Sequence, residues 1–360
     1  MRKGLRIWMT LGLVGMLGSG VPARADGIWE QQKITSGNWF KSGPRIWGLG
    51  SDTRVYWNDR RSGNGEVYVW DESGGERRVL GGDGISRGTW SAWQDRLAVG
   101  HYMGAGEYDL YLYDPVNGEQ AISTAPGSQS DADIYSDIHG STVVYEDTRN
   151  GYDNRQIYIW DPVNGERRLS PTNSAQSSPK IYGDTVVWSD ARNSTWYETR
   201  WDVYMWNPRD GETRLTGGFS GGASSPAIYE DRIVTWAKDD YEPGLYEWSP
   251  QGGWRLLEEG SAYLPYYMEM WEDLVVWSSN EGGVGAWDPI HGRTVASQGV
   301  DTGMTPSIYG NKVAFTGITN NVWDIYVSTL VPEPSSLLAL AGCAGGLFCL
   351  ARRRFANRRK

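Results

Sequence analysis

Three short phrases place a carboxylate two residues before a guanidinium: Asp59-Arg60-Arg61, Asp147-Thr148-Arg149 and Asp190-Ala191-Arg192. Arranged around a common axis, the three guanidinium forks could grip carboxylates on an acidic polysaccharide. Turned inward, each Asp would accept backbone N–H groups at the start of a loop while its Arg ties one repeat to the next. The recurrence of the phrase in register favours the structural role. Other groups able to do chemistry are fewer. There are three histidines, His101, His139 and His291, and close carboxylates at Asp131, Asp133 and Asp137 and at Asp239-Asp240. A glycosidase needs two such acids about 5 to 10 Å apart, and abundance singles out no pair. The acids at 131, 133 and 137 lack a calcium-loop pattern, so solvating a connection is their expected role. No nucleophile elbow, zinc-binding helix or glycine-rich phosphate loop is present, and no cofactor or metal is expected.

The elements that must position these residues repeat. "PKIYGDTVVW" (179–188) matches "PAIYEDRIVT" (226–235), "PSIYGNKVAF" (306–315), "MEMWEDLVVW" (268–277) and "SAWQDRLAV" (91–99), with looser copies at 137–145 and from Pro44. In this register His139 takes the position of Tyr182, Tyr229, Trp271, Tyr309 and Trp93. His291 takes that of Asn117 and Asn164, and His101 that of Asp147 and Asp190. Each phrase leads through a polar loop to a strand with an aromatic end, at Trp70, Tyr113, Trp160, Trp206, Trp248 and Trp287, with "DIYVS" as the seventh copy. Successive ends lie 43, 47, 46, 42, 39 and 41 residues apart. Turns such as "DPVNGE" at 114 and 161 follow, with Pro and Asn-Gly suited to reversing the chain.

Four short antiparallel strands per unit, at a period of 40 to 45 residues, predict an all-β, seven-bladed β-propeller. The units fall near 36–80, 89–123, 133–170, 178–216, 225–257, 268–297 and 305–328. The seventh lacks a last strand, and "GIWEQQKIT" (27–35) alternates as such a strand should, so 28–35 is expected to close the ring. A six-bladed or open ring is the alternative.

The units resemble the TolB-type propeller repeat. The match is best at Ser178-Pro179, Ser189-Asp190-Ala191-Arg192-Asn193, Asp202-Val203-Tyr204 and Arg214-Leu215-Thr216, and extends over nearly all of 27–330. The usual early Asp-Gly hairpin is replaced by aromatic-x-Asp. The resemblance implies the fold; the family itself spans binding scaffolds, translocation partners and enzyme accessory domains.

Both ends read as addresses. Met1-Arg2-Lys3, an apolar run from Ile7 and Ala23-Arg24-Ala25 describe a cleavable secretory signal, with signal peptidase expected to cut after Ala25. The end "VPEPSSLLALAGCAGGLFCLARRRFANRRK" places Pro332-Glu333-Pro334 before an uncharged run at 335–351 and a basic tail. Those 17 residues make about 25 Å of helix, near the lower limit for crossing a bilayer. This arrangement resembles the PEP-CTERM sorting signal, which implies an exosortase-type transpeptidase as partner and a transient membrane anchor before release to the cell surface or extracellular matrix. Between the two ends, 24 basic residues face 43 acidic ones, a charge of about minus 19, which argues against nucleic acid. Both cysteines, Cys343 and Cys349, fall in the tail, so the exported part has no disulfide.

The loops between second and third strands do not repeat, and such loops share one rim of a propeller. The longest, at 189–201, holds Arg192, Trp196, Tyr197, Arg200 and Trp201, and the loop at 146–154 holds Tyr152. Aromatic faces beside polar groups suit sugar rings, and these six residues form the candidate ligand-binding rim. Packing of the long loop over its own blade is the competing reading. The expectation is a non-enzymatic, exported scaffold that contacts exopolysaccharide, another glycan or a surface protein. A polysaccharide-active hydrolase or lyase using rim carboxylates is the alternative, and a purely structural coat protein a third.

Overall fold

The computed structural model describes residues 28–170, 173–195, 199–239, 242–260, 266–279 and 282–331. The signal-peptide site at Ala23 and Ala25, the motif Pro332, Glu333 and Pro334, the 335–351 segment, Trp196 and Tyr197 lie outside the described residues.

Seven four-stranded antiparallel sheets follow one another along the chain. Their inner strands are Lys41–Trp47, Arg87–Trp93, Gln129–Asp137, Gln176–Tyr182, Ala223–Tyr229, Tyr266–Trp271 and Thr302–Tyr309, in blades 1 to 7. In blades 1 to 6 the other three strands follow in sequence order outward. In blade 7 the outer strand is Ile28–Lys33, paired with Val322–Val331 from Ile28 opposite Val331 to Lys33 opposite Tyr326. The N-terminal strand therefore closes the ring, as expected, and gives blade 7 its missing edge.

One core serves each blade interface. Val143 and Tyr145 of blade 3 pack with Ala98 and Leu110 of blade 2. Val186 and Trp188 of blade 4 pack with Val144 and Ile157 of blade 3. Ile46 and Val55 of blade 1 meet Ala314 and Ile325 of blade 7. This follows from the second strands, whose runs of Val, Ile and aromatic residues are buried on both faces, as at Thr185–Asp190 and Leu274–Ser278. A blade has no core of its own, so the sheets are stable only as a ring.

Each inner strand carries a bulge against its neighbour, as between Ser42 and Arg45, Ser130 and Asp133, and Ser177 and Lys180. The bulged residue has positive φ in six blades: Gly43 (60°), Asp131 (48°), Ser178 (55°), Ser225 (54°), Tyr267 (52°) and Thr305 (50°). Proline follows it in four of them, which suits a position whose φ is fixed and whose N–H has no ladder partner. After the bulge the strand resumes its alternation. One residue faces the axis, the next enters an interface core, and the third, an aromatic, faces the axis again.

Blade 3 departs from the expected register. Its inner strand runs on through Ser136 and Asp137 before turning, so Tyr135, and not His139, takes the position of Tyr182 and Tyr229. His139 is exposed in the turn, where Asp137 Oδ1 accepts its N–H at 2.7 Å. The hairpin is four residues longer than its counterpart at 182–185, which displaces His139 from that position.

The closure is bolted electrostatically. Lys41, fully buried at the start of blade 1, donates to Asp324 Oδ1 at 3.0 Å and to the carbonyls of Gly37 (2.9 Å) and Trp323 (3.1 Å). Asp324 also accepts from Lys33 and Thr35 at 3.0 Å each. Asp324→Ala leaves the Lys41 ammonium buried without a counter-charge, and should lower unfolding free energy by about 3–5 kcal/mol, read as a shifted urea midpoint.

Candidate functional site

The three Asp-x-Arg phrases form one structural device. Asp147 Oδ1 accepts the Arg149 N–H (2.8 Å) and Nε (2.9 Å), and its Oδ2 accepts Nη2 (2.7 Å). Asp59 holds Arg61 in the same way, and Asp190 holds Arg192 through its N–H (2.8 Å) and Nη2 (2.6 Å). Each guanidinium lies about 4 Å over a third-strand tyrosine, Tyr68, Tyr158 or Tyr204, and reaches on to Glu76, Glu166 or Glu212 of the outer strand. Burial pushes the Asp59 and Asp190 carboxyls up, but the adjacent guanidinium together with the backbone N–H and side-chain donors beside it outweighs this and holds both below their ordinary value. These arginines thus staple the strands of a blade together.

Blade 2 fills the same positions with other residues. His101 replaces the Asp, as expected, stacks on Tyr111 at 3.8 Å and meets Glu119 Oε1 at 2.6 Å, while Arg87 from the inner strand bonds Glu119 at 2.9 and 3.1 Å. His291 sits at its expected turn position, with Nδ1 3.0 Å from Asp288, as Asn164 caps Asp161. Both histidines have structural partners, and among the described residues no group of His, Cys, Asp or Glu is placed to hold a metal.

On the axis, the inner-strand aromatics of all seven blades meet. Trp47, Trp93, Tyr135, Tyr182, Tyr229, Trp271 and Tyr309 contact their neighbours in turn at centroid distances of 4.9, 4.6, 5.2, 5.0, 5.0 and 3.9 Å, and Tyr309 returns to Trp47 at 4.2 Å. The indole of Trp271 also reaches across to Trp47 (6.2 Å) and Trp93 (6.3 Å), so the ring is a plug. Burial pushes the phenols of Tyr135, Tyr182, Tyr229 and Tyr309 up, keeping the plug uncharged.

Two residues before each aromatic lies a second layer: Arg45, Ser91, Asp133, Lys180, Ala227, Glu269 and Ser307. It locks neighbouring blades. Asp133 accepts from Ser91 Oγ (2.7 Å) and the Ile181 N–H (2.9 Å), Glu269 accepts from the Ile308 N–H (3.1 Å), and Lys180 lies 3.7 Å from Glu269. Arg45 donates to the carbonyls of Trp90 and Pro44. Between the two layers remains a void of about 80 Å³.

Above this layer the channel opens as a funnel of about 890 Å³ toward the variable loops. Tyr108, Tyr152 and Tyr267 stand in its wall, the latter two 74% and 56% exposed, along with Asp131, Glu146 and Arg155. Arg155 lies over the rings of Tyr152 (5.3 Å) and Trp201 (5.8 Å) and approaches Glu146 at 3.4 Å.

Glu146 occupies a repeated position. The second-strand residue there accepts the N–H at or next to the following blade's bulge: Asn58 from Thr89 (2.6 Å), Ser189 from Ser225 (3.0 Å), Ser278 from Thr305 (3.0 Å) and Glu146 from Ser178 (2.7 Å). An amide or hydroxyl suffices elsewhere; blade 3 uses a carboxyl. Beside it, Asp131 takes the bulge position that holds Gly43, Ser178 or Ser225 in other blades. Burial and the neighbouring Asp131 charge push the Glu146 carboxyl up to about 8, and the two side chains are hydrogen-bonded.

Of the sequence-predicted rim, Tyr152 lies in the funnel and Trp201 backs Arg155. Arg192 is held by Asp190 and Glu212, and Arg200 by the Phe219 carbonyl near Asp202. Sequence reasoning did not assemble Asp131, Glu146 and Arg155. The available signal was the aligned blades, where both acids break the pattern of small or neutral residues.

No family model matches the chain, and no curated protein matches it. Solved structures do. The β-propeller domain of the Trilobed protease from Pyrococcus furiosus, described as having an open velcro topology, is 13% identical over 82% of this chain and 97% of that one, with a TM-score of 0.58. An oligogalacturonate lyase from Vibrio parahaemolyticus is 12% identical over 86% and 99%, TM-score 0.60. An oligogalacturonate lyase in complex with manganese is 13% identical over 86% and 97%, TM-score 0.59. At these identities the likeness is one of fold: a propeller with four-stranded blades, here with its ring closed by the N-terminal strand.

Two outcomes follow. Trp271→Ala removes the ring that bridges the plug and should cost about 3–5 kcal/mol, measured by urea unfolding. Glu146 holds a proton in the folded state that the unfolded chain, with an ordinary value of 4.5, gives up earlier. Its contribution to stability therefore falls as pH rises from about 4.5 to about 8. Melting curves of Glu146→Gln should lack that part of the decline.

Proposed function

We propose that the chain is an exported, non-enzymatic binding propeller that takes a saccharide into the loop-side funnel. The observation that carries this is the one-ended cavity of about 890 Å³, within the range of ligand pockets, roughly 300–1,000 Å³. Its wall sets exposed tyrosine rings beside carboxyl, guanidinium and serine groups. Tyrosine faces stack on the CH face of a pyranose, and the polar groups take its hydroxyls. Two neighbours of the same fold are named for acting on a sugar oligomer, which supports the occupant's class without specifying this chain's chemistry.

The address signals complete the proposal. The Ala23-Arg24-Ala25 exit directs the chain through the secretion machinery to signal peptidase, and Pro332-Glu333-Pro334 directs it to an exosortase-type transpeptidase. The propeller is then delivered to the cell envelope or exopolysaccharide matrix, where the glycan would be met. The resemblance to the TolB-type repeat fits a binding scaffold at that address.

A hydrolase or lyase is the second reading, favoured by the Asp131–Glu146 pair, since a carboxyl kept protonated near neutrality can act as a general acid. Binding without release of reducing or unsaturated ends separates the two.

On an array of cell-surface and matrix glycans, the purified protein should bind a restricted set. Tyr152→Ala and Tyr267→Ala should each weaken that binding by about 1 kcal/mol, roughly fivefold in Kd. Their exposure means that melting temperature should stay unchanged. Wild-type affinity in both variants would remove the funnel from the reading.

A further inference from the structure

We infer that the funnel wall between blades 3 and 4 is the subsite that reads the sugar, and that Asp131, Glu146 and Arg155 there grip a vicinal diol of an uncharged pyranose. This rests on the saccharide reading of the funnel and specifies its ligand. Three observations place the subsite. First, a ligand site on a repeat protein shows as a departure from the repeat, and here two departures touch. A carboxyl stands at 146 where Asn58, Ser189 and Ser278 do the same backbone job, and another stands on the bulge at 131. The bond to the Ser178 N–H needs no carboxyl, since an amide or hydroxyl makes it in three other blades. Second, the cation beside them is fixed. Arg155 Nε donates to the Gln176 carbonyl at 3.1 Å and lies 3.4 Å from Glu146, and the guanidinium lies over the rings of Tyr152 and Trp201. Third, the exposed Tyr152 ring in the same wall provides the stacking surface.

Together these groups present what two adjacent hydroxyls require. The carboxylate of Asp131 accepts from both, and the guanidinium donates to their oxygens. The Glu146 proton keeps the paired acids from repelling each other and holds Asp131 in place. The surroundings disfavour an anionic sugar. Asp131 stands in the same wall as Arg155, Lys180 faces Glu269, and Asp133 is held by Ser91 and the Ile181 N–H. Glu107 adds a further carboxylate to the wall, Arg45 is bound to two backbone carbonyls, and the whole chain carries a formal charge of −10. A polyanionic glycan would enter against that field.

Proton loss should release the grip. Once Glu146 ionises, two adjacent carboxylates repel each other, and the Asp131 acceptor no longer has a fixed place. The test is titration calorimetry of the purified protein at pH 6 to 9 against gluco-, manno- and galacto-configured neutral tetrasaccharides and against tetragalacturonate. At least one neutral probe is expected to bind at pH 6 and to weaken about tenfold by pH 9. Glu146→Gln keeps an acceptor for the Ser178 N–H and a donor toward Asp131, so its affinity should be level across that range. Asp131→Asn and Arg155→Gln should each lose tenfold or more at pH 6, with melting temperatures close to wild type. Should either variant fail to fold, the flat pH profile of Glu146→Gln still decides. Tighter binding of tetragalacturonate than of every neutral probe would overturn the ligand assignment while leaving the saccharide reading intact. So would a pH profile in Glu146→Gln identical to wild type. Binding of none of the probes would remove the saccharide reading and this subsite with it.

Discussion

Seven aromatic rings meeting on one axis set the terms for the rest of this molecule. A propeller of seven sheets leaves a channel at its centre, and something must fill it or water will. Here each inner strand places a Trp or Tyr on the axis, and the rings close on themselves at centroid distances of 3.9 to 5.2 Å. Aromatic pairs contribute about 0.5–1.5 kcal/mol each beyond their buried area, so seven in a circle contribute several kcal/mol, comparable to a domain's whole net stability. The contact is also cyclic: no blade can leave without breaking two of its pairs. The N-terminal strand and the Lys41–Asp324 bolt close the circle at the chain ends, and the plug closes it at the axis.

The plug also decides where function can reside. It blocks one end of the channel, which makes the other a blind funnel, and the loops at that end are the ones free to vary. The turns at the plug end keep their "DPVNGE" form in blades 2 and 3, with Asp114 and Asp161 each capping its own turn. One face is thus committed to geometry, and the other carries the sequence that differs from blade to blade.

The fold was legible because the constraint repeats. The turn chemistry, the apolar second strands and the aromatic ends recur every 40 or so residues, and the missing fourth strand of blade 7, at 28–33, could be inferred from a seventh unit that ended early. The meeting of the aromatics on the axis was not legible, since repetition shows that a position is equivalent in every blade and not which way it faces. His139 illustrates the limit: four extra hairpin residues moved it off the axis, and Tyr135 took the place. The candidate rim was read by residue type, and so included Arg192, whose guanidinium is held inside its own blade, and missed Glu146, which lies in an otherwise ordinary strand.

Blade 2 shows why position must be separated from chemistry in such a chain. The Asp-x-Arg device of blades 1, 3 and 4 needs a buried anion, a cation stacked on tyrosine and a second carboxylate from the outer strand. Blade 2 satisfies the same geometry with His101 on Tyr111, Arg87 supplied from the inner strand and Glu119 outside. A guanidinium still meets the outer-strand carboxylate, although a histidine stands where the buried Asp does and the arginine comes from another strand. A histidine there, which alone would suggest catalysis, is therefore accounted for by the network it completes. The pair at 131 and 146 differs in kind. The backbone bond that Glu146 makes is made elsewhere by Asn58 or Ser189, so its carboxyl and the neighbouring one on the bulge exceed what the ring requires. Ionisable groups standing where neutral ones would serve the fold are where a ligand is best sought.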